Sequence, residues 1–118
     1  MLKSEKLLRI VKRIRLMSRF KVAKTSDIPP GQLHKVSVEQ KEIVVVNIDG
    51  SFFAMDDTCT HAGASISDGK LDGSTVTCDW HGAQFDCKTG KLEKFPAKIN
   101  DLKSYQVIIE SDDVFVEV

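Results

Sequence analysis

The sequence predicts an all-β chain: an antiparallel β-sandwich with a small subdomain at one end. Three observations predict it. Short runs rich in β-branched and aromatic residues recur from about residue 20 onwards, and turn-forming residues separate them. Helical spacing of apolar residues is confined to the basic first segment. The first four runs are Phe20–Ala23, Leu33–Val38, Glu42–Ile48 and Ser51–Met55. Between the first two, Ser26-Asp27-Ile28-Pro29-Pro30-Gly31 must be a loop, because paired prolines cannot donate to a ladder. Asp49-Gly50 joins the third and fourth as a tight hairpin, where glycine accepts positive φ.

The stretch from about 55 to 95 reads as an insert, with Asp72-Gly73 and Lys88-Thr89-Gly90 supplying its hairpin turns. A closing pair of strands, Ser104–Glu110 and Asp113–Glu117, turns at Ser111-Asp112. The expected organisation is a basic N-terminal extension over 1–18 and one domain over 19–118, with the subdomain at about 55–95.

A chain of 118 residues suits one compact domain with a modest core. No apolar run reaches the length of a membrane helix. The balanced net charge hides two unlike parts. Residues 1–24 carry nine Lys/Arg and one acid, Glu5, whereas residues 25–118 carry eight Lys and sixteen Asp/Glu. Between residues 56 and 86 there are six aspartates (Asp56, Asp57, Asp68, Asp72, Asp79, Asp86) and a single basic residue other than histidine, Lys70. Most suit turns, but a negative rim would also steer the domain towards basic partner surfaces. An acidic body gives no support to nucleic-acid binding.

In the first segment Leu7, Ile10, Val11 and Ile14 follow helical spacing with basic residues opposite. Three readings stand: a basic amphipathic helix that touches a membrane or a partner, a weakly packed extension, or sequence upstream of a start at Met17. We read it as an extension without cofactor chemistry; it has no long apolar stretch or small-residue cleavage site of a secretory signal.

The chemistry lies in two cysteine–histidine pairs, Cys59-Thr60-His61 and Cys78-Asp79-Trp80-His81, with sixteen residues between His61 and Cys78. Each pair joins a soft thiolate to an imidazole. Two thiolates on one iron and two imidazoles on the other make the ligand set of a Rieske [2Fe–2S] centre. A Cys₂His₂ set also binds zinc, and buried apolar cysteines with hydrogen-bonded histidines form a third reading. Zinc fingers, however, pair like with like at each end of their loop, and here each end carries one of each. Both pairs are followed by small residues, Ala62-Gly63-Ala64 and Gly82-Ala83. Such loops let backbone N–H groups approach negatively charged sulfides.

The run Cys59-Thr60-His61-Ala62-Gly63, with Cys78-Asp79-Trp80-His81-Gly82-Ala83-Gln84-Phe85-Asp86, resembles the ligand loops of Rieske-type ferredoxins. These are the small electron carriers of aromatic-ring dioxygenase systems, with archaeal relatives. The likeness spans about Phe20 to Val118. It implies a Rieske-type sandwich whose small subdomain binds one [2Fe–2S] cluster. It implies Cys59 and Cys78 on one iron and His61 and His81 on the other, the histidines towards solvent, with an added electron residing on the histidine-bound iron. It also implies an electron-transfer role rather than catalysis, and a flavin-dependent ferredoxin reductase and a terminal oxygenase as partners. Alternatives in function are a Rieske-like small subunit of a nitrite-reductase type enzyme and a zinc-binding module.

Departures from the high-potential branch of that family are informative. Its extra cysteines correspond to Ala64 and Trp80 here, which removes the inter-loop disulfide, and its Ser and Tyr donors correspond to Ala83 and Phe85. Losing two donors to the sulfurs disfavours the reduced state and lowers the potential. Phe95-Pro96-Ala97 resembles the covering loop of the family. Cys87 has no partner and alternates onto the face of Phe85, as a small buried apolar residue would. Trp80 packs under its loop, and His34 is a surface histidine. A free thiol and an iron–sulfur centre suit a reducing cytoplasm, and the expected state is a monomer.

Overall fold

The computed structural model describes residues 18–59, 63–79, 82–95 and 99–118. Eleven strands among them form three antiparallel sheets. The strands are β1 (Arg19–Lys24), β2 (Leu33–Val38), β3 (Lys41–Ile48), β4 (Ser51–Asp56), β5 (Lys70–Asp72), β6 (Thr75–Thr77), β7 (Gln84–Asp86), β8 (Leu92–Lys94), β9 (Ser104–Tyr105), β10 (Val107–Glu110) and β11 (Asp113–Glu117). The sheet orders are β1-β11-β10, β2-β3-β4-β9 and β5-β6-β7-β8. Two short 3-10 turns, Thr25–Asp27 and Ile66–Asp68, are the helical elements of the described residues.

The β2-β3-β4-β9 sheet is the middle layer, and β3 explains why. Ile43, Val44, Val45 and Val46 are all fully buried. Successive strand side chains point to opposite faces, so each face of this run must be covered. Val44 and Val46 pack with Met55, Cys59, Cys78, Phe85 and Cys87 towards the β5–β8 sheet. Ile43 and Val45 pack with Ile28, Val114 and Val116 towards the β1-β11-β10 sheet. Each such side chain contributes on the order of 1.5–3 kcal/mol by leaving water. A continuous rather than alternating apolar run is thus the mark of a doubly covered strand.

The hairpin turns fall where the glycine-bearing pairs place them. Asp49-Gly50 closes β3–β4 with both residues at positive φ, 52° and 92°. Asn47 holds this corner: its Oδ1 accepts the Gly50 N–H at 2.8 Å, and its Nδ2 donates to the Ile28 carbonyl at 2.8 Å. The β2–β3 hairpin uses the same backbone at Glu39 and Gln40, φ 52° and 66°, without glycine. Composition gave no sign of that turn.

One expectation needs correcting. Ser104–Glu110 is not a single strand pairing with β11: β9 pairs with β4 in the middle sheet, and β10 pairs with β11 in the outer one. Tyr105 is buried and its hydroxyl donates to Asp56 Oδ1 at 2.5 Å. Burial of the ring edge and this contact bind the chain to β4 before it crosses between sheets. Alternation alone cannot show such a crossing. Ser18, grouped above with the extension, exchanges two backbone hydrogen bonds of 3.0 Å with Val118. Residues 1–17 lie outside the described residues.

Candidate metal centre

Two loops meet the core shared by the middle sheet and the β5–β8 sheet. The first leaves β4 and returns into the Ile66–Asp68 turn. Thr58 and Ser65 form an isolated antiparallel bridge at its base. The second is the tip of the β6–β7 hairpin, closed below by Thr77↔Gln84, Val76↔Phe85 and Thr75↔Asp86.

The two tips share one backbone plan. In the first, the Cys59 N–H donates to the Ala64 carbonyl at 2.7 Å; in the second, the Cys78 N–H donates to the Ala83 carbonyl at 2.8 Å. Gly63 and Gly82, each just before its alanine, have φ of 74° and 75°. A Cβ at either would meet nothing within 4 Å. In the first loop Gly63 N–H also donates back to the Cys59 carbonyl at 3.0 Å.

Cys59 and Cys78 are 2% and 1% exposed and belong to one buried cluster, and neither is in a disulfide. Sequence reasoning paired each with a histidine. His61 and His81 lie outside the described residues, as do Trp80, Pro96 and Ala97. Of the four expected cluster donors, Cys59 and Cys78 are the two among the described residues. Two cysteines outside any disulfide, buried in one cluster at matched loop tips, each beside a left-handed glycine, fit a cofactor that takes one cysteine from each loop. Zinc fingers present no such matched pair of mixed loops.

Supports below the tips were less legible. Asp57 was grouped with the turn aspartates, but it is 1% exposed. Its Oδ1 accepts the Ser67 N–H at 2.7 Å, and its Oδ2 lies 3.8 Å from Lys35 Nζ. Asp86 turns back on its own loop, accepting from Lys88 N–H at 3.0 Å and Thr89 Oγ1 at 3.1 Å. Asp56 serves Tyr105. Half of the six aspartates are thus used internally, and Asp68, Asp72 and Asp79 are the exposed ones. Burial, then the Asp56 hydrogen bond and charge, push the Tyr105 hydroxyl well above the usual phenol range.

Gly90 was expected only as a turn residue. It also lies against the 99–102 segment: a Cβ there would meet the Leu102 carbonyl oxygen at 2.1 Å, and Leu102 N–H donates to the Gly90 carbonyl at 2.7 Å. Phe95, the start of the expected covering loop, is half-buried and packs on the core beneath the thiols. Cys87 is fully buried in the same core, as alternation with Phe85 predicted. Burial first, then the charges of Asp86 and Glu93, push its thiol up to about 12. His34 sits in β2 opposite Val45 and is half-buried.

Comparison with known proteins agrees with this geometry. The profile of the Rieske [2Fe-2S] domain matches residues 18–106. The ferredoxin component of biphenyl 2,3-dioxygenase from Rhodococcus jostii strain RHA1 is 36% identical over 102 residues, which cover 86% of this chain and 94% of that protein. The ferredoxin of Sphingomonas yanoikuyae B1 superposes with a TM-score of 0.79 at 32% identity, covering 86% of this chain and 99% of that one. A structure described as a complex of reduced oxygenase and oxidized ferredoxin in carbazole 1,9a-dioxygenase matches with a TM-score of 0.78 at 34% identity, over 84% of this chain and 92% of that one. The β-sandwich, the matched cysteine loops and these relatives lead to one conclusion: this chain belongs to the Rieske [2Fe–2S] domain family and carries one [2Fe–2S] cluster.

Proposed function

We propose that this protein is a soluble one-electron carrier, which takes an electron from a flavin-dependent ferredoxin reductase and delivers it to a terminal oxygenase. It acts as a monomer in the cytoplasm and is not itself a catalyst. The observation that carries this reading is the pair of buried thiols at equivalent positions of two hairpin tips. The naming of relatives as ferredoxin components of dioxygenase systems, and the oxygenase–ferredoxin complex among the similar structures, supply the partner class.

In this reading Cys59 and Cys78 hold one iron, and His61 and His81 hold the other. When bound, the cluster supplies reversible one-electron chemistry. The protein's own residues do the rest. The Cys59–Ala64 and Cys78–Ala83 hydrogen bonds fix the loop tips. The core of Val44, Val46, Met55, Ile66, Val76 and Phe85 keeps water from beneath the thiols. A dry surround without hydroxyl donors at Ala83 and Phe85 holds the potential near the low end of the roughly −150 to +300 mV Rieske range. The exposed Asp68, Asp72 and Asp79 favour encounter with basic partner surfaces. The segment before Ser18 is an extension outside the electron path, and the domain expected over 19–118, to which Ser18 is tied through Val118, bears the cluster.

Iron and acid-labile sulfide analysis, with an EPR spectrum of the reduced protein, tests the cofactor and its ligands. Two irons and two sulfides per chain and a mixed imidazole–thiolate spectrum are expected. Replacing His61 or His81 by Cys should change that spectrum and lower the potential. Colourless protein containing zinc would overturn the reading.

A further inference from the structure

The two ligand loops share a tip but not a base. Below the second, three residue pairs of the β6–β7 ladder hold the strands together. Below the first there is a single bridge, Thr58↔Ser65, and then side chains take over. Asp57 is the centre of that base. Its backbone carbonyl accepts the Ile66 N–H at 2.5 Å, and its N–H donates to the Glu42 carbonyl at 3.0 Å. Its buried carboxylate accepts the Ser67 N–H at 2.7 Å, tying the strand that enters the loop to the turn that leaves it.

Lys35, reaching across from β2, completes the arrangement. Its Nζ donates to Ser65 Oγ at 3.5 Å and lies 3.7 Å from Glu42 Oε2 and 3.8 Å from Asp57 Oδ2. A carboxylate this buried is costly without a nearby cation and donors. A cheaper solution for anchoring alone would be an asparagine, which also accepts a hydrogen bond. The charge therefore needs a reason of its own. Asp57 is two residues from Cys59, a backbone span of at most about 7 Å.

We propose that Asp57 and Lys35 are positioning residues for the first ligand loop, in which a buried carboxylate faced by a half-exposed ammonium does the work of a strand ladder and sets both the hold on the cluster and its potential. The proposal rests on the reading that Cys59 is a cluster ligand. A negative charge at Asp57 disfavours the more negative reduced cluster, and a positive charge at Lys35 favours it. The two substitutions must therefore move the potential in opposite directions, which a role in packing alone would not produce.

The test uses the cluster-loaded full chain and four variants: Asp57→Asn, Asp57→Ala, Lys35→Met and the double variant Lys35→Met/Asp57→Asn. Cluster loss is followed by visible absorbance in the presence of an iron chelator. Asp57→Ala, which strands the Ser67 N–H, is expected to lose the cluster about tenfold faster, and Asp57→Asn, which keeps an acceptor, less so. In voltammetry Asp57→Asn should raise the midpoint, Lys35→Met should lower it, and the double variant should return close to the parent. If Asp57→Ala does not accumulate folded, the near-isosteric Asn and the half-exposed Lys35 substitutions decide the matter. Parent-like release from Asp57→Ala, or shifts of one sign in both single variants, would overturn the proposal. Cys59→Ala serves as the separate control: if it keeps a parent-like cluster, the ligand reading has failed instead.

Discussion

Gly63 and Gly82 occupy the same left-handed backbone state, φ 74° and 75°, one in each ligand loop and each followed by an alanine whose carbonyl accepts a cysteine N–H. The chain has built one tip twice on unlike supports. A site that takes one thiol from each loop needs that repetition, because both must arrive at the same depth.

Glycine substitutions should separate backbone conformation from steric room. At Gly63 and Gly82 a Cβ meets none of the described residues, so in the cluster-free chain alanine there costs the positive φ, about 1–2 kcal/mol. Gly90 has a similar φ of 79°, but its Cβ would strike the Leu102 carbonyl at 2.1 Å. Gly90→Ala should therefore cost clearly more, about 3 kcal/mol or above. Denaturant midpoints of the three variants check the order; equal losses would refute the role assigned to Leu102.

Cys87 should be dispensable for the cluster. Cys87→Ala is expected to keep full iron content and an unchanged EPR spectrum, at a stability cost of about 1 kcal/mol for the small cavity. Its thiol also gives a pH effect of definite sign. Folding raises it from 9.0 to about 12, so between those values the unfolded chain has released the proton and the folded chain has not. Stability from this group is present below pH 9 and falls as the pH rises towards 12. Cys87→Ala should therefore lose less stability than the parent between pH 8 and 10.5. Identical pH profiles in urea unfolding would contradict the buried, protonated thiol.

The potential should respond to a restored donor. Ala83 and Phe85 are fully buried and offer no hydroxyl. The parent midpoint is expected near the low end of about −150 to +300 mV, and Ala83→Ser should raise it. Voltammetry reads both values; a parent midpoint well above zero would remove the argument.

Partner encounter should depend on salt. Asp68, Asp72 and Asp79 are exposed, and screening acts over about 10 Å at 0.1 M ionic strength. Stopped-flow electron transfer to an oxygenase partner should slow as salt rises, and Asp68→Lys/Asp79→Lys should slow it at low salt. Rates indifferent to both would remove these aspartates from the encounter.

The element order was largely legible because its signals are local. Leu33–Val38 and Ser51–Met55 show strand composition, and Asp49-Gly50, Gly73 and Gly90 punctuate where the backbone must turn. The turn at Glu39-Gln40 was not, since neither residue is a glycine and the fold imposes their positive φ. The division of 104–110 between two sheets was hidden for a related reason. Tyr105 is held by Asp56, forty-nine positions earlier, and no window of sequence contains that contact.

The sequence by itself determined the cofactor class, because the softness of a thiolate and the basicity of an imidazole are properties of the side chains, and their spacing is written in the chain. It also determined that Cys87 would be buried and unpaired, through simple alternation with Phe85. Only the tertiary structure decided which aspartates face water and which do internal work. Asp57 and Asp79 look alike in a row of letters, yet one is sealed between Ser67 and Lys35 and the other is exposed. Burial depends on layers folding over one another from distant parts of the chain, and with burial comes the cost of a charge that must be met by a partner.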